Sequence, residues 1–426
     1  MCLAGYESYL LNLPRYSELG NAAMKPGLRG VGHLLAAMDQ PHERFSSVHV
    51  AGTNGKGSTA SMIAAIGQAA GRRIGLYTSP HLVRMSERIR LNGGAVPDAW
   101  MESALERYRP VFDLWRPSFF EAVTALAFLY FAESDLDLAV IETGLGGRLD
   151  ATNIILPHLS VITQIDFDHT DVLGTTIEAI AREKGGVIKP CIPVVAAAGS
   201  RPARQVLQDI AHKRRAPWHD GGRASLQDSV LQLSTPVRTY CDIACDLRGS
   251  HQAINAGLAV RAAELLFDEL TTDASPVRTG LANVRLRTGL RARLETLGTC
   301  PLVTLDVAHN AAGIGAALTH LSGSRTLRVL ISLMRDKELG PVAELLKAHL
   351  AQVYACSIAT PRAWAAPELA SELASLGTNV VVAGPLEDMW HRARADAHAD
   401  DTLLICGSHY LAGEFLSIFD RAEPCP

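Results

Sequence analysis

Val48-His49-Val50-Ala51-Gly52-Thr53-Asn54-Gly55-Lys56-Gly57-Ser58-Thr59 decides the fold. An apolar, β-branched run leads into a loop with three glycines, a lysine and a hydroxyl pair, and the helix-compatible residues 60–66 follow. Strand, glycine loop and helix in that order are what a phosphate-binding loop requires. Glycines let backbone N–H groups turn inward, the helix N-terminus adds its positive dipole end, and the lysine supplies a point charge. A Ser58 or Thr59 hydroxyl can then ligate the magnesium that accompanies a nucleoside triphosphate. The spacing is not that of the G-x-x-x-x-G-K-[ST] loop, because Gly57 separates Lys56 from Ser58. A chance glycine-rich turn is the competing reading. The complete order favours an ATP or GTP site made by Gly52, Thr53, Asn54, Gly55, Lys56, Gly57 and Ser58.

Around that loop lie 426 residues, too many for one compact core, so two or three domains are expected. Hydrophobic content of 48% and charged content of 20% describe an ordinary globular protein. A formal charge of -4 and the lack of a long basic run argue against a nucleic-acid partner. The apolar runs, such as 122–132, are interrupted or too short to span a bilayer. The first residues carry no basic n-region, so a cytoplasmic chain is expected, and one that works as a monomer. Of eight scattered cysteines only Cys241 and Cys245 are close, with no second pair to complete a zinc site. Reduced thiols are expected.

Residues 6–47 read as helix and loop, with a turn at Pro26-Gly27-Leu28-Arg29-Gly30 before a helix around 31–38. Strands are expected at 73–78, 138–141, 159–163 and 193–197, with helices at 98–107, 119–133 and 176–184. Residues 221–247 read as a β-rich excursion, 252–267 as a helix and 271–276 as a polar loop. Arginines and a glycine near 285–293 mark a linker. Beyond it, strands at 302–305, 327–332, 352–357, 379–382 and 402–406 alternate with helices at 311–320, 341–349, 366–375 and 386–396. Such alternation builds mostly parallel sheets covered on both faces. The expected fold is α/β: a doubly wound N-terminal domain with the phosphate loop (1–285), a linker (286–296) and a smaller α/β C-terminal domain (297–426).

In open α/β sheets ligands bind at the carboxyl ends of strands. Ser79, Glu142 and His169 each sit at such an end, and together they read as a Mg²⁺ cluster beside the triphosphate. The bland alternatives are a helix cap at Glu142 and a structural histidine at His169. Lys184, in Arg182-Glu183-Lys184-Gly185-Gly186, reads from the residues alone as a C-terminal cation favoured by the helix dipole. Asp306 and His309, in Asp306-Val307-Ala308-His309-Asn310, end another apolar strand. They read either as a capping turn or as a second-domain contribution to a nucleotide in an interdomain cleft. Met334-Arg335-Asp336-Lys337-Glu338 and Gly407-Ser408-His409-Tyr410 are weaker signals, and no G-x-S-x-G elbow supports a Ser–His hydrolase. The local chemistry points to a two-domain, Mg²⁺-dependent nucleotide enzyme.

The 52–58 loop, Thr78-Ser79-Pro80-His81-Leu82, Glu87-Arg88-Ile89-Arg90, 144–153, Asp168-His169-Thr170, Glu183-Lys184, His251-Gln252-Ala253-Ile254-Asn255-Ala256, 306–310 and Asp336-Lys337 occur in order along almost the whole chain. In that set the chain resembles the folylpolyglutamate synthase/dihydrofolate synthase family of the Mur ligase superfamily. The resemblance implies that ATP phosphorylates a carboxylate of dihydropteroate or a folate, and that the L-glutamate amine attacks the acyl phosphate. It implies that Lys56 contacts the phosphates and that Ser79 and Glu142 bind one Mg²⁺. His169 is implied to bind the second with Lys184, a position typically carbamylated in the family. Asn255, Arg293 and Asp306 match positions that hold the nucleotide from across the cleft, and His309 lies near the glutamate and acyl-phosphate region. Leu28, Arg29 and Gly30, with Phe119, Phe120 and Thr124, resemble the pterin pocket, and Arg88 and Arg148 are offered as partners for substrate carboxylates.

Two departures stand out. Arg291-Ala292 precede Arg293 where the family usually has Pro-Gly, and Val307 follows Asp306 where many members carry glycine. The valine leans toward the bifunctional bacterial kind. A peptidoglycan Mur ligase would need a UDP-sugar domain that the chain ahead of Gly52 does not provide for. A relative acting on a non-folate carboxylate is the alternative, and a non-catalytic nucleotide binder would not be expected to keep Lys56, Ser79, Glu142, His169 and Lys184.

Overall fold

The computed structural model of the chain describes residues 5–14, 27–197, 199–227, 229–323 and 325–419, so Pro26 of the expected turn, Cys2 and Cys425 lie outside the described residues. Two compact units emerge. The first holds the described residues up to Pro80, Met85–Asp246 and Gln252–Leu290. The second holds His81–Arg84, Leu247–His251 and the described residues from Arg291 onward.

The strands of the first unit are β1 (Ser47–Ala51), β2 (Ile74–Tyr77), β3 (Ile89–Leu91), β4 (Gly94–Ala95), β5 (Leu138–Glu142), β6 (Leu159–Ile162), β7 (Val194–Ala196) and β8 (Trp218–Asp220). Among the described residues these eight form one sheet in the order β4-β3-β2-β5-β1-β6-β7-β8. It is parallel except at the β2–β3 and β3–β4 pairings. Asn92 and Gly93, with φ of 46° and 83°, close the β3–β4 hairpin, where two left-handed residues match the strand twist. Every residue of β1, β2, β5, β6 and β7 is buried, as expected for central strands covered on both faces. One face carries a core of Leu34, Leu35, Phe112, Phe128 and Ile141, and a second core joins Ile162, Val194, Ile180 and Leu207. Register places Val50 opposite Glu142, Ala51 opposite Ile162, and Tyr77 opposite Ile141. The carboxyl ends of β1, β2, β5 and β6 are thereby brought level.

Sequence and structure differ at several elements. The helix expected to stop at 107 runs over Asp98–Trp115 through Pro110. Burial of Met101, Leu105 and Phe112 at helical spacing offsets the hydrogen bond that the proline removes. The polar loop ends early, because Ser275–Ala282 is a helix with Pro276 in its first turn, where a missing N–H costs nothing. The helix Arg201–Lys213 was not expected; Ala203, Val206, Leu207, Ile210 and Ala211 form its apolar stripe, and Ser200 caps its start. Two parts of the 286–296 stretch are regular structure, in the helix Val284–Thr288 and the strand Glu295–Thr299. The β-rich excursion is a three-stranded antiparallel sheet of β9 (Arg223–Gln227), β10 (Val230–Ser234) and β11 (Thr239–Ala244).

The second unit has β12 (Glu295–Thr299), β13 (Leu302–Leu305), β14 (Leu327–Ile331), β15 (Gln352–Ser357), β16 (Val380–Pro385) and β17 (Thr402–Cys406). Among the described residues they form one sheet, β12-β13-β17-β14-β15-β16, parallel except for β12 against β13. Alternate strand residues feed opposite faces. Val329, Ile331, Val353 and Leu404 pack with the helices Ala311–His320, Leu339–Ala348 and Ala366–Ser375. Leu330, Tyr354, Leu403 and Ile405 pack with Leu386–Ala395 and His409–Phe419. The cysteines at 191, 241, 245, 300, 356 and 406 are free thiols. No helix among the described residues is long and apolar enough to cross a membrane.

The helix after the phosphate loop, Lys56–Ala69, is buried over most of its length, and Ser275–Ala282 packs closely on it. A Cβ at Gly280 would lie 2.7 Å from Ile66 Cα and 2.8 Å from Ile66 N, backbone atoms that cannot yield as a side chain does. Gly280→Ala is therefore expected to destabilise the first unit by about 1–3 kcal/mol, although alanine is the better helix former. Urea unfolding followed by far-UV circular dichroism checks this.

Candidate active site

At the end of β1 the chain turns at Gly52, with φ of 152°. A Cβ there would lie 1.8 Å from Thr163 Oγ1, so only glycine fits. Thr163 Oγ1 donates to the Asn54 carbonyl (2.7 Å), Thr53 N donates to the Gln164 carbonyl (2.8 Å), and Thr53 Oγ1 donates to the Asp166 carbonyl (3.1 Å). The segment after β6 thus braces the phosphate loop. That bracing uses residues 163–166, and His169 comes later, as the residue before the short helix Thr170–Leu173. It is therefore not at the strand end itself, as the sequence reading had it, and Glu142 is the last residue of β5 rather than the first beyond it.

Gly55, with φ of 85°, precedes the helix that starts at Lys56. Asn255 packs onto this turn: a Cβ on Gly55 would lie 2.2 Å from its Oδ1, and Thr59 Oγ1 donates to that oxygen at 3.4 Å. Asn255 belongs to the same unit as the phosphate loop, which corrects the expectation that it reaches the nucleotide from the other side. Lys56 Nζ donates to the Gly52 and Thr53 carbonyls (3.2 and 3.1 Å). Lys184 Nζ, almost fully buried, donates to the same Gly52 carbonyl at 2.7 Å. Burial first, and then the Lys56 charge, push the Lys184 amine down to about 7, against the pull of Asp168 and Asp150. The dipole-cation reading of Lys184 is thereby replaced: its ammonium reaches inward to the loop.

Glu142 Oε2 accepts a hydrogen bond from Ser79 N at 3.0 Å, so these two expected ligands adjoin. Asp168 Oδ1 and His169 Nε2 lie 3.9 Å apart. Among the described residues no three His, Cys, Asp or Glu side chains cluster closely enough to hold a metal by themselves. The Ser79 hydroxyl and the Glu142 carboxylate are a sparse pair of hard oxygens, which suits a Mg²⁺-like ion that keeps water and takes further oxygens from phosphate, whereas the His169 imidazole is a softer donor.

A second region is built on the helix Phe119–Ala132. Ser118 and Glu121 form a capping box: Ser118 Oγ accepts from Glu121 N (3.3 Å), and Ser118 N donates to Glu121 Oε2 (2.8 Å). The box fixes the first turn, from which Phe119 and Phe120 project. The Arg88 guanidinium lies 5.2 Å from the Phe119 ring centre, and Phe120 packs on Tyr77 at 6.3 Å. Thr124 Oγ1 and the buried Tyr77 hydroxyl are hydrogen-bonded at 3.0 Å. Gly30 abuts the Glu121 carboxylate, Gly144 abuts the Phe120 ring, and Leu28 packs against the same core. Arg29 is exposed. Arg148, offered above as a carboxylate partner, is instead paired with Glu183 at 2.9 Å. In the second unit, both Asp306 carboxylate oxygens accept backbone N–H groups, from Leu294 and Ala308 (each 2.7 Å). Arg293 Nη1 donates to the Ala292 carbonyl, and His309 packs on His409 with ring centres 5.4 Å apart.

Residues 50–263 match the Mur ligase middle domain, and residues 292–409 match the Mur ligase glutamate ligase domain. The chain is 34% identical to the dihydrofolate synthase/folylpolyglutamate synthase of Bacillus subtilis, over 92% of this chain and 94% of that protein. The chain belongs to the dihydrofolate synthase/folylpolyglutamate synthase family of Mur ligases. Among solved structures, the Mycobacterium tuberculosis folylpolyglutamate synthase complexed with ADP matches with a TM-score of 0.89 and 31% identity, covering 98% of each chain. Escherichia coli FolC in complex with DHPP and ADP matches at 0.86 and 28%, covering 99% of each.

The sequence reading gave no role to Thr163 or Tyr77, whose parts are played through hydrogen bonds to residues far off in the chain, and took Glu121 only as part of the 118–124 stretch, where it bonds to Ser118. Only the S-x-x-E spacing of Ser118 and Glu121 was a readable signal. Because Lys56 sits on the surface of the loop and not in the core, Lys56→Ala is expected to lower turnover by at least about 10²-fold. The melting temperature should stay within about 2 °C, a shift of no more than about 2 kcal/mol for a chain of this length. Turnover near that of the unaltered protein would refute the phosphate-loop assignment.

Proposed function

We propose that this ATP-dependent ligase of the folate family joins L-glutamate to dihydropteroate and to folates. The observation that carries the reading is the convergence of Lys56 and Lys184 on the Gly52 carbonyl, at a glycine loop level with Glu142. Support comes from relatives bearing both synthase names and from a solved relative with Mn, AMPPNP and L-glutamate bound, 27% identical with a TM-score of 0.85.

In this reading the carboxylate of the acid attacks the γ-phosphorus of ATP, giving an acyl phosphate and ADP. The neutral amine of glutamate then attacks the acyl carbon, and the tetrahedral intermediate collapses to the amide with loss of phosphate and a proton. Lys56 and the loop N–H groups hold the phosphates, so that the acceptor is in line. Ser79 and Glu142 would hold one Mg²⁺ and His169 with Lys184 a second; when bound, these ions neutralise charge on the transferring group. Arg293 and Asp306 serve the nucleotide and His309 the glutamate side. Leu28, Gly30, Phe119, Phe120 and Thr124 form the pterin shelf, with Arg88 over it. The protein works as a cytoplasmic monomer without a nucleic-acid or membrane partner, in line with its -4 charge and free thiols.

Phosphate release from ATP with Mg²⁺ and L-glutamate, comparing 7,8-dihydropteroate with a reduced folate, tests this. Activity with both is expected. Activity with one alone restricts the chain to that single synthase, and silence with both in a protein that still binds ATP would overturn the folate reading.

Lys184 gives a second test. Its neutral amine can add to CO₂, forming an N–C bond and releasing one proton, which makes an anionic oxygen ligand from a cation. With the amine at about 7 rather than 10.5, about half is neutral at pH 7 instead of roughly one part in three thousand. The carbamate should therefore build up as pH rises through 7 and be lost below it. A carbamate carbon signal from ¹³C-bicarbonate, absent in Lys184→Ala, is expected. Its absence from the unaltered protein at pH 8 would sink this role.

A further inference from the structure

His49 lies in β1 immediately before the phosphate loop and is completely buried, yet no step above uses it. Its Nε2 is 2.8 Å from Thr152 Oγ1. Thr152 Oγ1 in turn donates to Asp150 Oδ1 at 2.5 Å, and Thr152 N donates to the same oxygen at 3.0 Å. The other carboxylate oxygen, Oδ2, accepts from Leu145 N at 2.8 Å. Thr152 is wholly buried and Asp150 nearly so.

The chain of bonds has a direction. Two backbone amides can only donate to Asp150, which fits a carboxylate that accepts at both oxygens. The single Thr152 hydroxyl proton is then spent on Asp150, so the hydroxyl oxygen can only accept from His49. His49 must therefore carry its proton on Nε2. Its Nδ1 is buried and has no hydrogen-bond partner among the described residues, as a bare ring nitrogen in that tautomer would be. Burial, with a lesser push from Lys189, holds the imidazole down to about 3, so it stays neutral. Burial also pushes the Asp150 carboxyl up, opposed by hydrogen bonds from Thr152, Leu145 and Gly144.

What this relay holds is the loop after β5. Gly144 faces the Phe120 ring so closely that a Cβ would lie 2.5 Å from it, and Arg148 N donates to the Glu183 carbonyl at 2.8 Å, beside Lys184. One loop therefore touches both the aromatic shelf and the end of the Lys184 helix. We propose that the relay His49→Thr152→Asp150 fixes the height of this loop against Phe120 and makes His49 and Thr152 positioning residues for the acid substrate. The proposal rests on the shelf being where the pterin acid binds.

Two experiments test it. The first reads the relay without substrate: long-range ¹H–¹⁵N correlation on the ¹⁵N-histidine protein, with His49→Gln to assign the signal. A neutral Nε2–H tautomer that persists to pH 5 is expected; a Nδ1–H tautomer or a cation at pH 7 would overturn the relay. The second measures KM for dihydropteroate and for ATP. Thr152→Val, which keeps the shape and removes the hydroxyl, should raise KM for the acid at least tenfold and leave KM for ATP within twofold. Thr152→Ser should recover most of the loss. Equal changes in both KM values, no change in either, or no recovery with serine would overturn the positioning role. Failure of the unaltered enzyme to use any pteroate would instead count against the shelf assignment, while the tautomer result would still decide the relay.

Discussion

Two amines donating to one carbonyl set the terms for the whole site. Lys56 and Lys184 come from different elements and meet at Gly52, whose φ excludes other residues. Two ammonium charges so close, one of them buried, repel strongly in a poorly screened interior. The arrangement relaxes in either of two ways: an anion arrives, or the buried amine gives up its proton. Both belong to the chemistry of an enzyme that binds a polyphosphate, and the low position of Lys184, set by burial first and by the Lys56 charge second, favours the loss of that proton. The mostly parallel sheet is what makes the meeting possible, since it brings the ends of four strands level.

The loop from Gly144 to Asn153 extends that logic from phosphate to acid. Its glycines are needed for close approach, at Phe120 and at the backbone of Lys184. Glycine gives no rigidity of its own, so the loop must be fixed from elsewhere. Asp150 does this by capping the short helix Ala151–Ile154 and the Leu145 amide together. Asn153 Nδ2 adds a bond to the Arg148 carbonyl at 3.0 Å. Flexible residues are thus placed where partners approach, and buried polar residues where the position must not drift.

The alternation of strands and helices was legible because buried parallel strands leave continuous apolar runs between glycine and polar turns. The helix Arg201–Lys213 was not read, although Ala203, Val206, Leu207, Ile210 and Ala211 recur at helical spacing, because charged and amide residues interleave that stripe in the sequence. The phosphate loop could be read because its chemistry is local in sequence. Lys184 could not be read from its neighbours, because the feature that matters is a carbonyl 132 positions away. His49 was quoted as part of a strand and carries a polar role that strand periodicity cannot express. The short motif Asp150-Ala151-Thr152 does spell an Asx cap, and a histidine in an otherwise apolar buried strand was the remaining signal.

The phosphate site and the aromatic shelf rest on different supports, and this bears on which acid is used. The loop at Gly52 is braced by residues 163–166, whereas Phe119 and Phe120 depend on the Ser118–Glu121 box and on Tyr77. Changing the shelf need not disturb the phosphates, so the same transfer chemistry can be offered to different carboxylates. Under the proposed function, the shelf is what would select the acid. Phe119 is buried with the Arg88 guanidinium over its ring, and half-buried Phe120 packs on Tyr77. In that reading the acid's ring system would stack beside rings that are already fixed by Arg88 and Tyr77, so its selection would not depend on the phosphate loop.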